Sequence, residues 1–212
     1  MTLESAFPWI SATSALAAAL VAPGSRRGRW LRTGALAALA LYAYFRWITP
    51  TSVPMALACQ ALGQALLPEG AGRWRRWAIG LPVLGWLILA NLFRTTGDGP
   101  GMFVQDAAKA GLFAALAIAA GYGLWSAWRW TRRPRAGVAA EAIALLVMAG
   151  MGLTLDWEFW PVMAGALAAL AACGVALYAA RAGTQAPSPA LARAAWICSF
   201  AGQAAMAYSF LR

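Results

Sequence analysis

The stretch RRWAIGLPVLGWLILANLFR, residues 75–94, holds 17 uncharged residues between Arg76 and Arg94. A helix rises about 1.5 Å per residue, so a run of this size approaches the ~20 residues that cover ~30 Å of hydrocarbon. A barrel strand would alternate apolar and polar residues over about ten positions. This run is continuously apolar, and a helix is the reading it supports.

Similar runs recur in both directions along the chain. They place apolar helices at 6–23, 33–49, 52–68, 77–94, 107–128, 137–154, 159–180 and 190–211. The expected fold is therefore all-α, a polytopic transmembrane bundle of about eight spans. Eight spans in 212 residues leave no room for a separate soluble domain. Residues 1–212 are read as one integral membrane domain, with function in the bundle or its short loops. The first run carries Glu4 and no basic residue before it, unlike a signal peptide. It is read as the first span.

Composition agrees. Hydrophobic residues make up 62% of the chain against a usual 45–50% for soluble domains, and the mean hydropathy is +0.62. The net charge is +10, from sixteen Arg and one Lys against seven acids, with no His. Basic chains often bind nucleic acid, but here the Arg sit at the ends of apolar runs, where they set topology and meet lipid headgroups. No nucleic acid partner is expected. The absence of His removes imidazole chemistry and His-ligated metal. Cys59, Cys173 and Cys198 lie inside apolar runs without metal-ligand spacing and read as small packing residues. No metal or cofactor is expected.

Charge also orients the bundle. The odd-numbered loops carry thirteen basic residues: Arg26, Arg27, Arg29 and Arg32; Arg73, Arg75 and Arg76; Arg129, Arg132, Arg133 and Arg135; Arg181 and Arg193. The even loops and the termini carry four, Arg46, Arg94, Lys109 and Arg212. The positive-inside rule then places the odd loops in the cytoplasm and both termini on the non-cytoplasmic side. The acidic sixth loop, Asp156-Trp157-Glu158, suits the outer face. Trp30, Trp47, Trp74, Trp77, Trp128, Trp130, Trp157 and Trp160 lie near predicted ends, as interfacial indoles do. Helical spans argue for the inner membrane of a bacterial cell, since outer-membrane proteins are barrels.

Polar side chains at membrane depth cost free energy and mark candidate sites. Gln60 and Gln64 lie one turn apart on one face of the third predicted span. Asn91 lies in the fourth, Glu141 in the sixth and Gln203 in the eighth. The ordinary role of such amides is an interhelical hydrogen bond, worth about 0.6 kcal/mol. Glu141 is the one carboxylate clearly inside a predicted span. It is a turn from the basic end, where it could instead reach the interface or pair with Arg135. GxSxG, Walker A, HExxH and CxxC motifs are absent. Transporter-like repeats of broken spans and channel-like polar rings are not visible either.

The third and fourth runs resemble the YhhN-type lysoplasmalogenase family, eight-span enzymes that hydrolyse the vinyl ether bond of lysoplasmalogens. The family has a Gly-Asp pair in a Leu-rich third span, a Pro-containing loop, then a fourth span with a His followed by a Tyr. Here Gly63 and Pro68 fit, while Gln64 stands for the Asp, Trp86 for the His and Leu89 for the Tyr. Gly165-Ala166-Leu167 is similar to the opening of the seventh-span motif, but Ala172-Cys173 replaces its Ser-Asp. Gln203 in Phe200-Ala201-Gly202-Gln203 matches the closing aromatic-x-x-Gln, and Arg32-Thr33 stands where the family often has Lys-Pro. The resemblance implies a membrane lipid or lysophospholipid as partner, and together with the polar positions it gives a candidate lipid-binding set of Gln60, Gln64, Trp86, Asn91, Cys173 and Gln203.

Vinyl ether hydrolysis protonates the alkene carbon, forming an oxocarbenium-like centre that water attacks. A proton donor and a carboxylate are the natural equipment, as in glycosidases. An amide does not titrate and a buried thiol is a weak acid. Glu141, or else Asp156, is the candidate proton donor if the chain is a hydrolase with a shifted site. The alternatives are a non-catalytic lipid-binding or structural protein of the same fold, and a small scaffold subunit of a membrane complex.

Overall fold

The computed structural model describes residues 3–21, 25–46, 50–66, 74–98, 101–130, 135–181 and 188–210. Trp47, Pro68, Arg73, Arg132, Arg133 and Arg212 of the sequence reading lie outside these residues. The described residues form α1 (Leu3–Leu20), α2 (Arg26–Phe45), α3 (Ser52–Leu66), α4 (Arg75–Thr96), the single turn α5 (Met102–Gln105), α6 (Ala107–Trp130), α7 (Arg135–Leu153), α8 (Trp160–Arg181) and α9 (Pro189–Ser209). A 3₁₀ turn, Trp157–Phe159, leads into α8. No strand occurs among the described residues. The all-α expectation holds, and each of the eight apolar runs is a helix.

The largest shift in a boundary is at α2, which begins at Arg26 where hydropathy places residue 33. Ser25 explains it. Its backbone is extended and its hydroxyl accepts the Gly28 N–H at 3.0 Å, satisfying one of the donors that a helix start leaves open. Arg26, Arg27, Arg29 and Arg32 are therefore helical rather than loop residues.

The helices pack in a circuit: α1 on α2, α2 on α3, α3 on α4, α4 on α7, α7 on α8, α8 on α9, and α9 back on α1, with α6 outside α7 and α8. The main core lies between α2, α3, α4, α7, α8 and α9 and includes Leu39, Leu57, Phe93, Met148, Val162 and Met206. A smaller cluster of Ala15, Leu36, Ala61 and Trp196 closes the circuit where α1, α2, α3 and α9 meet. There the Trp196 indole N–H donates to the Ala15 carbonyl at 3.2 Å, and the Ser11 hydroxyl donates to the Ala35 carbonyl at 2.8 Å.

Two pairs set the closeness of packing. On α8 and α9, a β-carbon at Gly202 would sit 2.5 Å from the Gly165 carbonyl oxygen, and the converse holds at Gly165. On α3 and α4, a β-carbon at Gly63 would collide with the Pro82 ring. Small residues let backbones touch, and dispersion contacts over the whole crossing then hold the pair.

Two helical stretches, Arg76–Thr96 and Trp157–Gly174, are long and apolar enough to cross a membrane by length and composition. Ala6–Leu20, Ala107–Tyr122 and Ala139–Leu153 are apolar but shorter. Arginines within the first two turns of α2 and the 15-residue length of α3 keep those helices below that standard.

Gly202→Val is expected to destabilise the fold by about 1–3 kcal/mol, the usual cost of overpacking. Gly111→Ala, where a β-carbon meets nothing within 4 Å, is expected to be neutral or to stabilise by up to about 1 kcal/mol through helix propensity. Thermal unfolding of the two purified variants in detergent checks this. Equal loss in both would deny the close α8–α9 approach.

Candidate functional site

Gln60 is buried on α3, and its side-chain amide donates to the Pro82 carbonyl of α4 at 2.9 Å. Gly85 makes room for it, since a β-carbon there would lie 3.0 Å from the Gln60 Nε2 and 2.8 Å from the Ala56 carbonyl. Gln60 is thus a pin between two helices. Gln64, one turn on, is half-buried near the end of α3.

Trp86 and Gln203 are different. Both are buried, at 3% exposure, and each keeps a polar atom without a hydrogen-bond partner among the described residues: the Trp86 indole N–H and the Gln203 side-chain carbonyl. The Gln203 NH₂ is used, donating to the Ser199 hydroxyl at 3.3 Å. One unfilled donor and one unfilled acceptor therefore remain inside the bundle. Each costs about 1–3 kcal/mol while unmet. Cys173 is half-buried against the same core.

Glycine contacts give the relative heights. Gly137 faces Ile79 and Gly152 faces Phe93, so α4 and α7 run parallel and nearly in register. Gly152 also faces Ala166, so α8 returns antiparallel. Counting from these pairs, Trp86, Leu145 and Cys173 share one level. Gln203 lies about one to two turns nearer the end where α4 finishes, and Glu141 about one turn nearer the end where α4 begins. Glu141 is half-buried and already engaged. Arg135 belongs to α7, but its side chain is outside the described set, so the expected pairing lies outside it too.

Asn91 does not join this group. It is exposed on α4, where Arg94 donates to its side-chain oxygen from Nη2 at 3.1 Å and Nε at 3.4 Å. The structure thus brings Trp86 and Cys173 to one level, sets Gln203 and Glu141 above and below it, uses Gln60 as a pin, and leaves Asn91 at the rim.

The sequence reading took Lys109 only as a charge between spans. It lies in the first turn of α6, is 1% exposed, and its ammonium donates to the Leu155 carbonyl at 2.7 Å. The Trp157 ring covers it, with the nitrogen 4.9 Å from the centroid. Asp106 caps the same helix, accepting from the Ala108 and Lys109 N–H groups at 3.0 and 3.1 Å. This ties α6 to the turn between α7 and α8. One signal was available: Lys109 is the single Lys in a chain that otherwise uses Arg, and it falls within a predicted span.

No group of three or more potential ligands that could hold a metal occurs among the described residues. Comparison of the chain with protein-family models, with curated proteins and with solved structures finds no match.

Gln60→Leu is expected to cost about 0.6 kcal/mol of stability through loss of one interhelical hydrogen bond. Asn91→Leu, at an exposed position, should stay within about 0.5 kcal/mol of wild type. Denaturant titration in mixed micelles separates them, and a larger loss for Asn91→Leu would reverse the assignment of pin and rim.

Proposed function

We propose that this chain is an eight-span membrane protein on the YhhN-type lysoplasmalogenase plan, located in the inner membrane of a bacterial cell, that takes a lysophospholipid-type lipid between its helices. The observation that carries the membrane part is the outward face of the bundle. Leu20 is 79% exposed and Ile118 74%, and Leu16, Met55, Ile143 and Ile197 also point outward. Exposed large hydrophobic residues occur on every long helix, an exterior that suits contact with lipid. Exposed Trp30, Trp74, Trp77, Trp157 and Trp160 at helix ends fit interfacial belts. Helices shorter than a full span are taken as spans completed by flanking residues or by local thinning of the bilayer.

Phosphatase and fluorescent-protein fusions test the topology. Phosphatase after residue 212 is expected to be active and the fluorescent fusion dark, with the opposite result for fusions within residues 131–134. A reversed pattern would overturn the orientation.

In the hydrolytic form of the proposal, Glu141 supplies the proton. The protonated carboxyl delivers it to the alkene carbon β to the ether oxygen. Water adds to the resulting oxocarbenium carbon, and the hemiacetal collapses to a fatty aldehyde and a glycerophospho-alcohol, consuming one water. Trp86 and Gln203 would hold the polar part of the ligand with the donor and acceptor that the protein leaves unfilled. A second reading, lipid binding without catalysis, is favoured by the buried polar residues themselves. Among the described residues these are Ser11, Gln60, Lys109, Thr154 and Gln203, with no carboxylate.

Aldehyde release from lysoplasmalogen by the purified protein decides between the two. Under the hydrolytic reading Glu141→Gln should lower the rate by about 10²–10⁴, the usual contribution of a general acid. Wild-type protein that releases no more aldehyde than empty vesicles leaves the binding reading. Full activity in the variant removes Glu141 from the role.

A further inference from the structure

Six buried side-chain polar atoms lack a hydrogen-bond partner among the described residues, and four of them share one face of α2. They are Nε and Nη1 of Arg29, Nε of Arg32 and Oγ1 of Thr33. Spacings of three and four put these residues side by side on a helix. A hydroxyl inside a helix commonly folds back on the carbonyl four residues earlier. Thr33 does not, so its O–H remains available beside the two guanidinium groups.

The guanidinium groups are also held in place. Arg32 lies over the Trp196 ring at 5.3 Å and Arg29 over the Trp30 ring at 5.5 Å. Stacking occupies the flat face of a guanidinium and leaves its N–H edge free to donate. Trp196 is itself anchored, through its N–H to the Ala15 carbonyl. Arg193 lies one turn before Trp196 on α9 and is exposed. Asp98, Asp106, Asp156 and Glu158 all belong to the opposite end of the bundle, around the finish of α4 and the start of α6, while Glu141 on α7 lies toward the basic end and has an interaction of its own. Two half-buried cations side by side repel each other and are costly to desolvate without an anion.

We propose that Arg29, Arg32 and Thr33 form a binding site for a phosphate group, held by the guanidinium edges and the hydroxyl. Planar N–H forks recognise tetrahedral oxyanions well, and Arg serves this role better than Lys. The site lies at the basic end of the apolar helices, between exposed Trp30 and buried Trp196. That favours the headgroup of an anionic phospholipid over a soluble phosphate. Only this choice of source rests on the membrane reading above. The phosphate chemistry does not.

Native mass spectrometry and thermal shift on the full chain in neutral detergent test the site, using phosphatidylglycerol and inorganic phosphate as separate probes. Phosphatidylglycerol should bind wild type and the R26Q/R27Q variant alike. It should bind R29Q/R32Q, which has the same net charge, at least about tenfold more weakly, as expected from loss of charge-assisted hydrogen bonds. Should R29Q/R32Q not fold, Arg29→Gln alone serves, because it leaves the Arg32–Trp196 stack intact. Inorganic phosphate that stabilises wild type and spares phosphatidylglycerol would keep the site and make its source soluble. Equal weakening in the two double variants would mean general surface charge and overturn the proposal. So would failure of wild type to bind either probe. The fusion experiment is unaffected by these outcomes, so each reading can fail alone.

Discussion

The rest of the structure depends on helix pairs that approach until their backbones touch. Gly165 against Gly202 and Gly63 against Pro82 leave no space for a β-carbon. Close approach multiplies weak dispersion contacts along each crossing. It also fixes axial register, because a glycine notch accepts its partner at one height. The α3–α4 register puts the Gln60 amide at the Pro82 carbonyl, opposite Gly85. The α8–α9 register puts Gln203 inside the bundle and, about two turns earlier on α9, presents Trp196 to α1 and α2. Small residues thus position the polar ones.

The interior that results is mostly neutral. Ser11, Gln60 and Thr154 are buried with their side chains bonded to backbone carbonyls, so they hold structure. Trp86 and Gln203 retain unfilled capacity, one as donor and one as acceptor. A ligand hydroxyl or ether can engage such groups without any charge being buried. This polarity suits recognition of an uncharged glycerol or ether segment better than it suits proton transfer. Glu141, the carboxylate that the hydrolytic proposal uses, lies toward the basic end of the same helix layer.

The two ends of the bundle manage charge differently. At one, Lys109 is enclosed under Trp157 and bonded to a backbone carbonyl, which links α6 to the α7–α8 turn. At the other, Arg29 and Arg32 are stacked on indoles, with Nε and Nη1 of Arg29 and Nε of Arg32 without a partner among the described residues. Both devices place a cation against an aromatic face. Only the second leaves donors for a further partner. An ammonium is a compact point charge that one carbonyl and one ring can enclose, whereas a stacked guanidinium still presents an unfilled fork.

Much of the fold was legible in order of residues alone. Eight apolar runs became eight helices, because local hydrogen bonding and continuous apolar character are properties of contiguous residues. The charge asymmetry between loops is equally local. Within the candidate site, Gln60, Trp86 and Gln203 were identified from their depth in predicted helices or their place in a motif, but their roles were not. Whether an amide is filled or unfilled depends on which residue of another helix stands opposite it, as Pro82 does for Gln60 and no described residue does for the Gln203 carbonyl. The early start of α2 hinged on one serine cap, and it moved four arginines from a loop onto a helix face. The burial of Lys109 hinged on a turn 46 residues away. Sequence by itself determined that this protein is helical and where its helices run. The tertiary structure alone decided which polar atoms are left without partners, because pairing across helices is set by register and close approach, which no single segment contains.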